Sequence, residues 1–161
     1  MNLVMERLPE TLEEFQALPE FDLTKPENSC ALFLCALNLF TQDDTVGVEA
    51  INLLKGPKPL NPFEISFLKD RLQDKPYLPL AYFDGATPDN NYQPDIPYSL
   101  ALSPDGRPFD LESGYLRLYL TTTGADSPRA IKLREKEGNW FIWEYPGVLM
   151  DIRKPKIDLD W

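Results

Sequence analysis

The most restrictive feature of this sequence is the segment from Pro26 to Phe40, which is apolar nearly all round a helical wheel. A helix on the surface of a protein keeps a polar face toward water, and this segment has none. Its most apolar part, CALFLCALNLF, has only eleven residues and includes Asn38, whereas a membrane-spanning helix needs about 18 apolar residues. We therefore predict a central buried helix in a soluble protein.

Polar caps followed three residues later by Glu, the pattern of a capping box, mark helix starts in the first half of the chain. Three such pairs are present: Thr11 with Glu14, Thr24 with Glu27, and Asn61 with Glu64. A proline follows the second and third caps within the first turn, where its missing N–H costs nothing. Four helices are therefore predicted: one beginning near Thr11, one from Pro26 to Phe40, one from Asp43 or Asp44 to a stop at Gly56, and one from Pro62 to about Gln73.

The second half of the sequence alternates apolar and polar residues with the period of a β-strand. The alternating segments are YSLAL, GYLRLYLTTTG, PRAIKLREKEG and NWFIWEYPG, with turn signals at Pro104-Asp105-Gly106 and Gly138-Asn139. Residues 75–98 contain five prolines and five large aromatic residues with no sustained period, which indicates a long ordered connector. The segment VLMDIRKPKIDLDW closes the chain with a short turn of helix or strand and an acidic tail.

We expect one α+β domain over residues 1–161. Its amino-terminal helical half, residues 1–74 with about four helices, packs on one face of a four-stranded antiparallel meander in residues 98–161. Alternation sends Leu116, Leu118, Leu120, Ile131 and Leu133 toward the helices. The opposite face carries tyrosines and cations, namely Tyr115, Arg117, Tyr119, Lys132 and Arg134.

The strand from Trp140 to Tyr145 carries large apolar side chains on both of its faces. Two registers are open: Trp140 and Ile142 point inward with Phe141, Trp143 and Tyr145 outward, or the reverse. Both registers leave apolar area on the face away from the helices, and burying an indole is worth roughly a few kcal/mol. Three covers for that face fit the sequence: the connector or the Trp161 tail, a second copy in a sheet-to-sheet homodimer, or another molecule.

If another molecule covers the face, the binding residues are expected to be Tyr115, Arg117, Tyr119, Lys132, Arg134 and Trp143. The arginines would pair with carboxylate or phosphate groups, while the rings would supply stacking area. The net charge of −10 opposes binding to DNA, RNA or anionic lipid. The expected partner is therefore another protein or a second copy of this chain, with no nucleic acid and no membrane.

The amino-terminal sequence MNLVMERLPETLEEF has no basic segment followed by an apolar run. A secretory signal peptide needs both of those parts in that order. We therefore expect no signal peptide and a cytoplasmic location.

Catalytic chemistry has few of its usual residues in this sequence. No histidine is present, which excludes Ser-His-Asp and Cys-His catalysis and the commonest zinc ligand. Cys30 and Cys35 lie about 140° apart round a helix, so we interpret them as buried structural thiols. The acid pairs Asp43 with Asp44, Asp110 with Glu112 and Asp158 with Asp160 are interpreted as a helix cap, a loop and a solvated tail. We predict no catalytic residue, no metal and no cofactor.

The segments PETLEEF, LTKPEN, AINLLKGPKPLNPFEISFLKDRL, KPYLPLAYFDGATPDNNY and GADSPRAIKLREKEGNWFIWEY span most of the chain. Together they resemble a family of short bacterial proteins known as a domain of unknown function. That resemblance implies no activity, cofactor or site residue. The segment KEGNWFI, a charged turn before a Trp, is also similar to cystatin-like and NTF2-like sheets. This second similarity implies a curved antiparallel sheet against helices.

The sequence thus favours a non-catalytic binding or protein-interaction module that uses the basic and aromatic face of the sheet. One alternative is a small-molecule binder or carboxylate-based hydrolase with a pocket between the connector and the sheet. Such a pocket would be lined by Tyr77, Tyr82, Phe83 and Tyr92 around a buried acid. Another alternative is a homodimer in which the face serves association alone.

Overall fold

The structure is a computed structural model, and it describes residues 1–104 and 114–159. It is an α+β fold with helices packed against an antiparallel sheet, as the sequence predicts. Its helices are α1 (Leu12–Gln16), α2 (Pro26–Gln42), α3 (Asp44–Leu53), α4 (Pro62–Leu72) and α5 (Lys156–Leu159). Its strands are β1 (Asn2–Met5), β2 (Tyr98–Pro104), β3 (Tyr115–Leu120), β4 (Arg129–Lys136) and β5 (Asn139–Glu144). Each strand pairs antiparallel with the next, in the order β1-β2-β3-β4-β5.

The sheet has five strands, so the prediction of four strands is wrong. The additional strand is β1, which pairs Met5 with Tyr98 and Asn2 with Ala101 of β2. Strand β1 is only four residues long and precedes the helices in the sequence. Its partner strand lies more than ninety residues further along the chain. Local alternation in so short a segment does not reveal such a distant pairing. Leu3 and Met5 of β1 are buried and add to the core.

The four predicted helices are present, and the described residues contain a fifth, the short α5. At the start of α1, the Thr11 hydroxyl oxygen accepts a hydrogen bond from the Glu14 amide at 3.0 Å. At the start of α4, Asn61 and Glu64 form the complete capping box. Asp43 caps α3 as interpreted.

The predicted capping box of Thr24 with Glu27 is wrong. The amide and the hydroxyl of Thr24 both donate hydrogen bonds to the Asp22 carboxylate, at 3.1 and 2.6 Å. This local turn leaves Lys25 at the cap position of α2 without a side-chain bond to the helix. Helix α2 begins at Pro26 with Lys25 at the cap position, so Thr24 lies one residue before the cap.

Helix α2 is the buried centre of the fold, as its composition predicts. Every residue from Cys30 to Leu37 has an exposed fraction of 0 or 1%. Gly47 lets α3 approach α2 closely, since a Cβ at that position would lie 2.3 Å from Cα of Phe40. The core cluster takes side chains from the helices, the connector and the sheet, and the single-domain interpretation stays a prediction.

The connector of residues 75–98 contributes its aromatic rings to the core. Tyr77, Tyr82, Phe83 and Tyr92 are all buried in the same cluster as the inward leucines of β3. The Tyr82 hydroxyl donates to the Val148 carbonyl at 2.5 Å. The connector is thus the ordered, packed segment that its proline content predicts, and these four rings are used in packing between helices and sheet.

Several residues named in the sequence interpretation lie outside the described ranges. They are Asp105 and Gly106 of the expected turn, the acid pair Asp110 and Glu112, Asp160, and Trp161 of the tail.

Candidate functional site

The six residues expected to bind a partner lie on the sheet face that points away from the helices. Alternate residues of β3 and β4 are buried, including Leu118 and Ile131, and the residues between them point outward. Pairing sets Tyr115 opposite Arg134 and Arg117 opposite Lys132. We call this surface the outer face, defined by Tyr115, Arg117, Tyr119, Lys132, Arg134 and Trp143.

The centre of the outer face is a cluster of two rings and two cations. The Arg134 guanidinium carbon lies 4.8 Å from the ring centre of Trp143 and 5.5 Å from that of Tyr115. Lys132 Nζ lies 4.7 Å from the ring centre of Tyr115, and the two rings meet edge to face at 5.9 Å. Each cation–π contact at an exposed site is worth about 0.5–1 kcal/mol, so the cluster holds its side chains in place without burying the cations.

Arg117 and Tyr119 lie further along β3. Arg117 pairs with Lys132, a member of the cluster, and so lies next to it. Tyr119 pairs with Ala130 of β4 and Ser103 of β2. Tyr119 lies four positions after Tyr115, a distance of about 13 Å along a strand. The structure therefore groups Tyr115, Lys132, Arg134 and Trp143 closely, places Arg117 beside them and leaves Tyr119 at the margin.

A β-bulge in β5 decides the register that the sequence left open. Lys132 pairs with Glu144 while Leu133 pairs with Ile142, so Trp143 is the additional residue on β5. Ile142 is fully buried and Trp140 packs against the core, which is the first of the two registers. That register would also point Tyr145 outward, and this part of it does not hold. A bulge shifts the alternation by one residue, and Tyr145 turns inward to lie 4.7 Å from the Phe33 ring.

The loop between α3 and α4 forms one wall of the site, and sequence reasoning missed it. The Ile142 amide donates to the Leu54 carbonyl at 2.8 Å, which fastens the start of this loop to β5. Gly56 has φ +66 and packs against the Phe141 ring. Lys58 then reaches over the edge of the sheet, with Nζ 5.5 Å from the ring centre of Trp143. The segment GPKP predicts a loop here, but nothing local predicts which sheet face it meets.

A cleft of about 330 Å³ lies between this loop and strands β4 and β5. We call it the β5 cleft, and its lining residues are Lys55, Pro57, Lys58, Arg134, Glu135, Lys136, Phe141 and Trp143. Four of these side chains are cationic, one is acidic and two are aromatic. An anionic group attached to an apolar body has the chemistry that this lining complements.

Lys55 is unusual among the lining residues because its side chain is only 7% exposed. Its Nζ lies 3.5 Å from a carboxylate oxygen of Glu64, and 5.8 Å from the ring centre of Tyr145. Burial raises the pKa of the Tyr145 hydroxyl, and the charge of Glu64 raises it further. Lys55 therefore contributes to the wall of the cleft, while its ammonium group lies against Glu64 and the Tyr145 ring, neither of which lines the cleft.

Apolar surface continues from Trp143 onto α4. The Phe63 side chain is 80% exposed. It shares a shallow groove of about 190 Å³ with Phe67, Trp143 and Pro146. The sequence interpretation gave no role to the rings of Phe63 and Phe67, so this groove was missed. Trp143 thus lies between the β5 cleft and a second, apolar groove.

The acidic side chains of the described residues are not buried, whereas the two thiols are. Within residues 1–104 and 114–159 no Asp or Glu side chain is buried. Asp44 pairs with Lys69 at 3.7 Å. Cys30 and Cys35 are free and buried, as interpreted. Burial raises the pKa of the Cys35 thiol to about 12 and also raises that of Cys30.

Fold and surface together define an α+β protein with one antiparallel sheet whose outer face is basic and aromatic. The chain belongs to the family DUF6935, a domain of unknown function, which it matches over residues 7–156. No curated protein and no solved structure gives a significant match to it. A bacterial origin and the similarity to cystatin-like and NTF2-like sheets stay predictions. Across the described ranges, no helix has the length and apolar character needed to cross a membrane.

Proposed function

We propose that this chain is a non-catalytic binding module that holds an acidic segment of another protein on its outer face. The observation that carries the proposal is the position of Arg134, an exposed cation held between the rings of Tyr115 and Trp143. Aromatic residues and Arg supply much of the binding energy in protein interfaces. A surface of this composition fits a partner that offers carboxylates beside apolar groups.

Charge distribution supports an acidic partner segment over other ligands. The chain carries 26 acids against 16 bases, so a highly charged polyanion such as RNA is repelled by the molecule as a whole. The β5 cleft reverses this balance locally, with four cations and one acid. A short acidic segment can reach this local positive region without bringing many phosphates close to the acidic remainder of the protein.

Two alternatives have less support. A pocket enzyme or small-molecule binder between connector and sheet would need the rings of Tyr77, Tyr82, Phe83 and Tyr92 free to line a cavity, and these rings pack into the core. A homodimer through the outer face would place the cations of two copies against each other, and like charges across an interface oppose association. The expectation of a cytoplasmic location stays a prediction.

The test is affinity capture from a lysate of the native host. The bait is compared with the double variant Arg117→Glu, Arg134→Glu, and with a matched control, Lys154→Glu, Lys156→Glu, whose two lysines are exposed and lie outside the outer face. Both variants change the net charge equally. We expect a protein retained by the wild type and the control and lost from the outer-face variant. Equal retention by all three baits would refute the proposal, and light scattering on the same samples would identify a homodimer.

A further inference from the structure

We infer that the β5 cleft is the anchor pocket of this surface, and that it takes one large apolar or aromatic side chain flanked by carboxylates from an acidic partner segment. This inference rests on the proposed function and adds the chemistry of the ligand and the point of attachment. Lys58 lies outside the six outer-face residues, so a substitution of Lys58 tests the anchor pocket separately from the proposed function.

The size of the cleft sets the size of what enters it. Its volume of about 330 Å³ is at the lower end of the range of about 300–1,000 Å³ for ligand sites. That space holds a single large side chain, and the remainder of a bound segment must lie outside, along the outer face. Phe141 and Trp143 line the apolar part of the cleft, and they provide ring area against which a partner side chain stacks.

The charges around the cleft set what must flank that side chain. Arg134 and Lys58 both lie over the Trp143 ring, at 4.8 and 5.5 Å from its centre, so two cations are adjacent to the aromatic part of the lining. Lys136 adds a third cation to the lining. Carboxylates on either side of an inserted ring would reach these groups, and the guanidinium of Arg134 offers a two-pronged hydrogen-bond donor for one of them.

Lys55 is not one of the groups that a ligand carboxylate would reach. Its side chain is 7% exposed, its ammonium group is paired with Glu64 at 3.5 Å, and Glu64 does not line the cleft. The cations offered to a carboxylate in the cleft are therefore Lys58, Arg134 and Lys136.

The loop wall of the pocket is held in place by a hydrogen bond at each of its ends. Leu54 is fastened to β5 through the Ile142 amide, and the Leu60 amide donates to the Asn52 side chain at 2.8 Å at the other end of the loop. Two prolines, Pro57 and Pro59, limit the backbone between these points. A preformed site avoids much of the ordering cost of binding, which suits recognition of a flexible segment.

The test uses the full chain labelled with ¹⁵N and a blocked five-residue peptide, Asp-Asp-Trp-Asp-Asp, as the probe. We expect amide shifts to cluster at Gly56, Lys58, Phe141 and Trp143. Lys58→Glu is expected to weaken binding about tenfold or more, because it removes one attraction and adds one repulsion. Lys154→Glu is the matched control and is expected to bind as the wild type does.

Two further peptides test the two halves of the inference. Replacing Trp by Ala in the probe removes the anchor, and replacing every Asp by Lys reverses the charges. Both changes are expected to abolish the shifts at the cleft. Equal binding of the Lys peptide, shifts located elsewhere, or no shifts at millimolar peptide would overturn the inference. Shifts at the cleft produced by a short oligonucleotide but not by the peptide would also overturn it in favour of a nucleic-acid ligand.

Failure of this inference can be told apart from failure of the proposed function. The partner captured from lysate is tested against Lys58→Glu and against the double variant Arg117→Glu, Arg134→Glu separately, after the spectrum of each variant has shown that it is folded. If the double variant loses the partner and Lys58→Glu retains it, the outer face stands and the anchor pocket is wrong. If both variants retain it, both proposals are wrong.

Discussion

Gly56→Ala tests whether the loop that forms one wall of the β5 cleft is held against the sheet as described. Gly56 has φ +66, and an added Cβ would lie 2.9 Å from Cγ of Phe141. The left-handed backbone alone costs alanine about 1–2 kcal/mol. Overpacking against the Phe141 ring adds about 1–3 kcal/mol. We therefore expect Gly56→Ala to lower the free energy of unfolding by about 2–5 kcal/mol.

Gly138→Ala is the matched control, because Gly138 also has a positive φ, +86, but an added Cβ would meet nothing within 4 Å. It is expected to cost only the backbone part, about 1–2 kcal/mol. Urea unfolding followed by tryptophan fluorescence measures both variants, and an unchanged m-value shows that stability alone has changed. Equal losses for the two glycines would mean that the loop does not press on Phe141, and the described wall of the cleft would be wrong.

Three further predictions concern buried parts of the protein, and Gly147→Ala serves as the control for the first of them. Gly47→Ala is expected to destabilise the protein by about 1–3 kcal/mol despite its gain in helix propensity, since its Cβ would lie 2.3 Å from Cα of Phe40. Gly147→Ala, with nothing within 4 Å, is expected to stay within about 0.5 kcal/mol of the wild type. Tyr82→Phe leaves the buried Val148 carbonyl without its donor and is expected to cost about 1–2 kcal/mol in the same urea assay. Alkaline pH is expected to destabilise the fold, because the pKa of Cys35 is raised to about 12 from the ordinary value of 9.0. That contribution is intact below pH 9.0 and is lost progressively as the pH approaches 12, by up to about 1.4 kcal/mol for each pH unit.

Each of these predictions has an outcome that contradicts it. If Gly47→Ala left the free energy of unfolding unchanged, there would be room for a methyl group between α3 and α2. Unchanged stability in Tyr82→Phe would mean that water or another donor satisfies the carbonyl. Stability that stays level from pH 8 to 11 would show that the buried thiols and tyrosines ionise as easily in the folded protein as in the unfolded chain.

The helical half was predictable because its signals are local. The Asn61 and Glu64 box and the Asp43 cap need only neighbouring residues, and the apolar surface of α2 admits only a buried position. Thr24 shows the limit of the same method. Thr24 bonds to Asp22 and the cap position falls on Lys25, an arrangement that the sequence pattern alone does not indicate.

The parts of the site that escaped prediction depend on contacts between distant residues. The bulge at Trp143 arises from pairing with β4, and it reverses the direction of Tyr145. Lys58 joins the site because the Leu54 carbonyl meets β5 across a sequence separation of nearly ninety residues. Alternation within β3 and β4 was sufficient for Tyr115 and Arg134, since regular strands keep the period of two.

The most direct test of the central claim is a photo-crosslinking measurement in lysate of the native host. p-Benzoylphenylalanine replaces Tyr119 at the margin of the outer face, where an aromatic residue already stands, and replaces Lys154 in the control. If the outer face binds a partner, irradiation gives a discrete adduct from position 119 that is absent from position 154 and is lost when Arg117→Glu, Arg134→Glu is added. No adduct from position 119, or the same adducts from both positions, would contradict the assignment of the outer face as a binding surface.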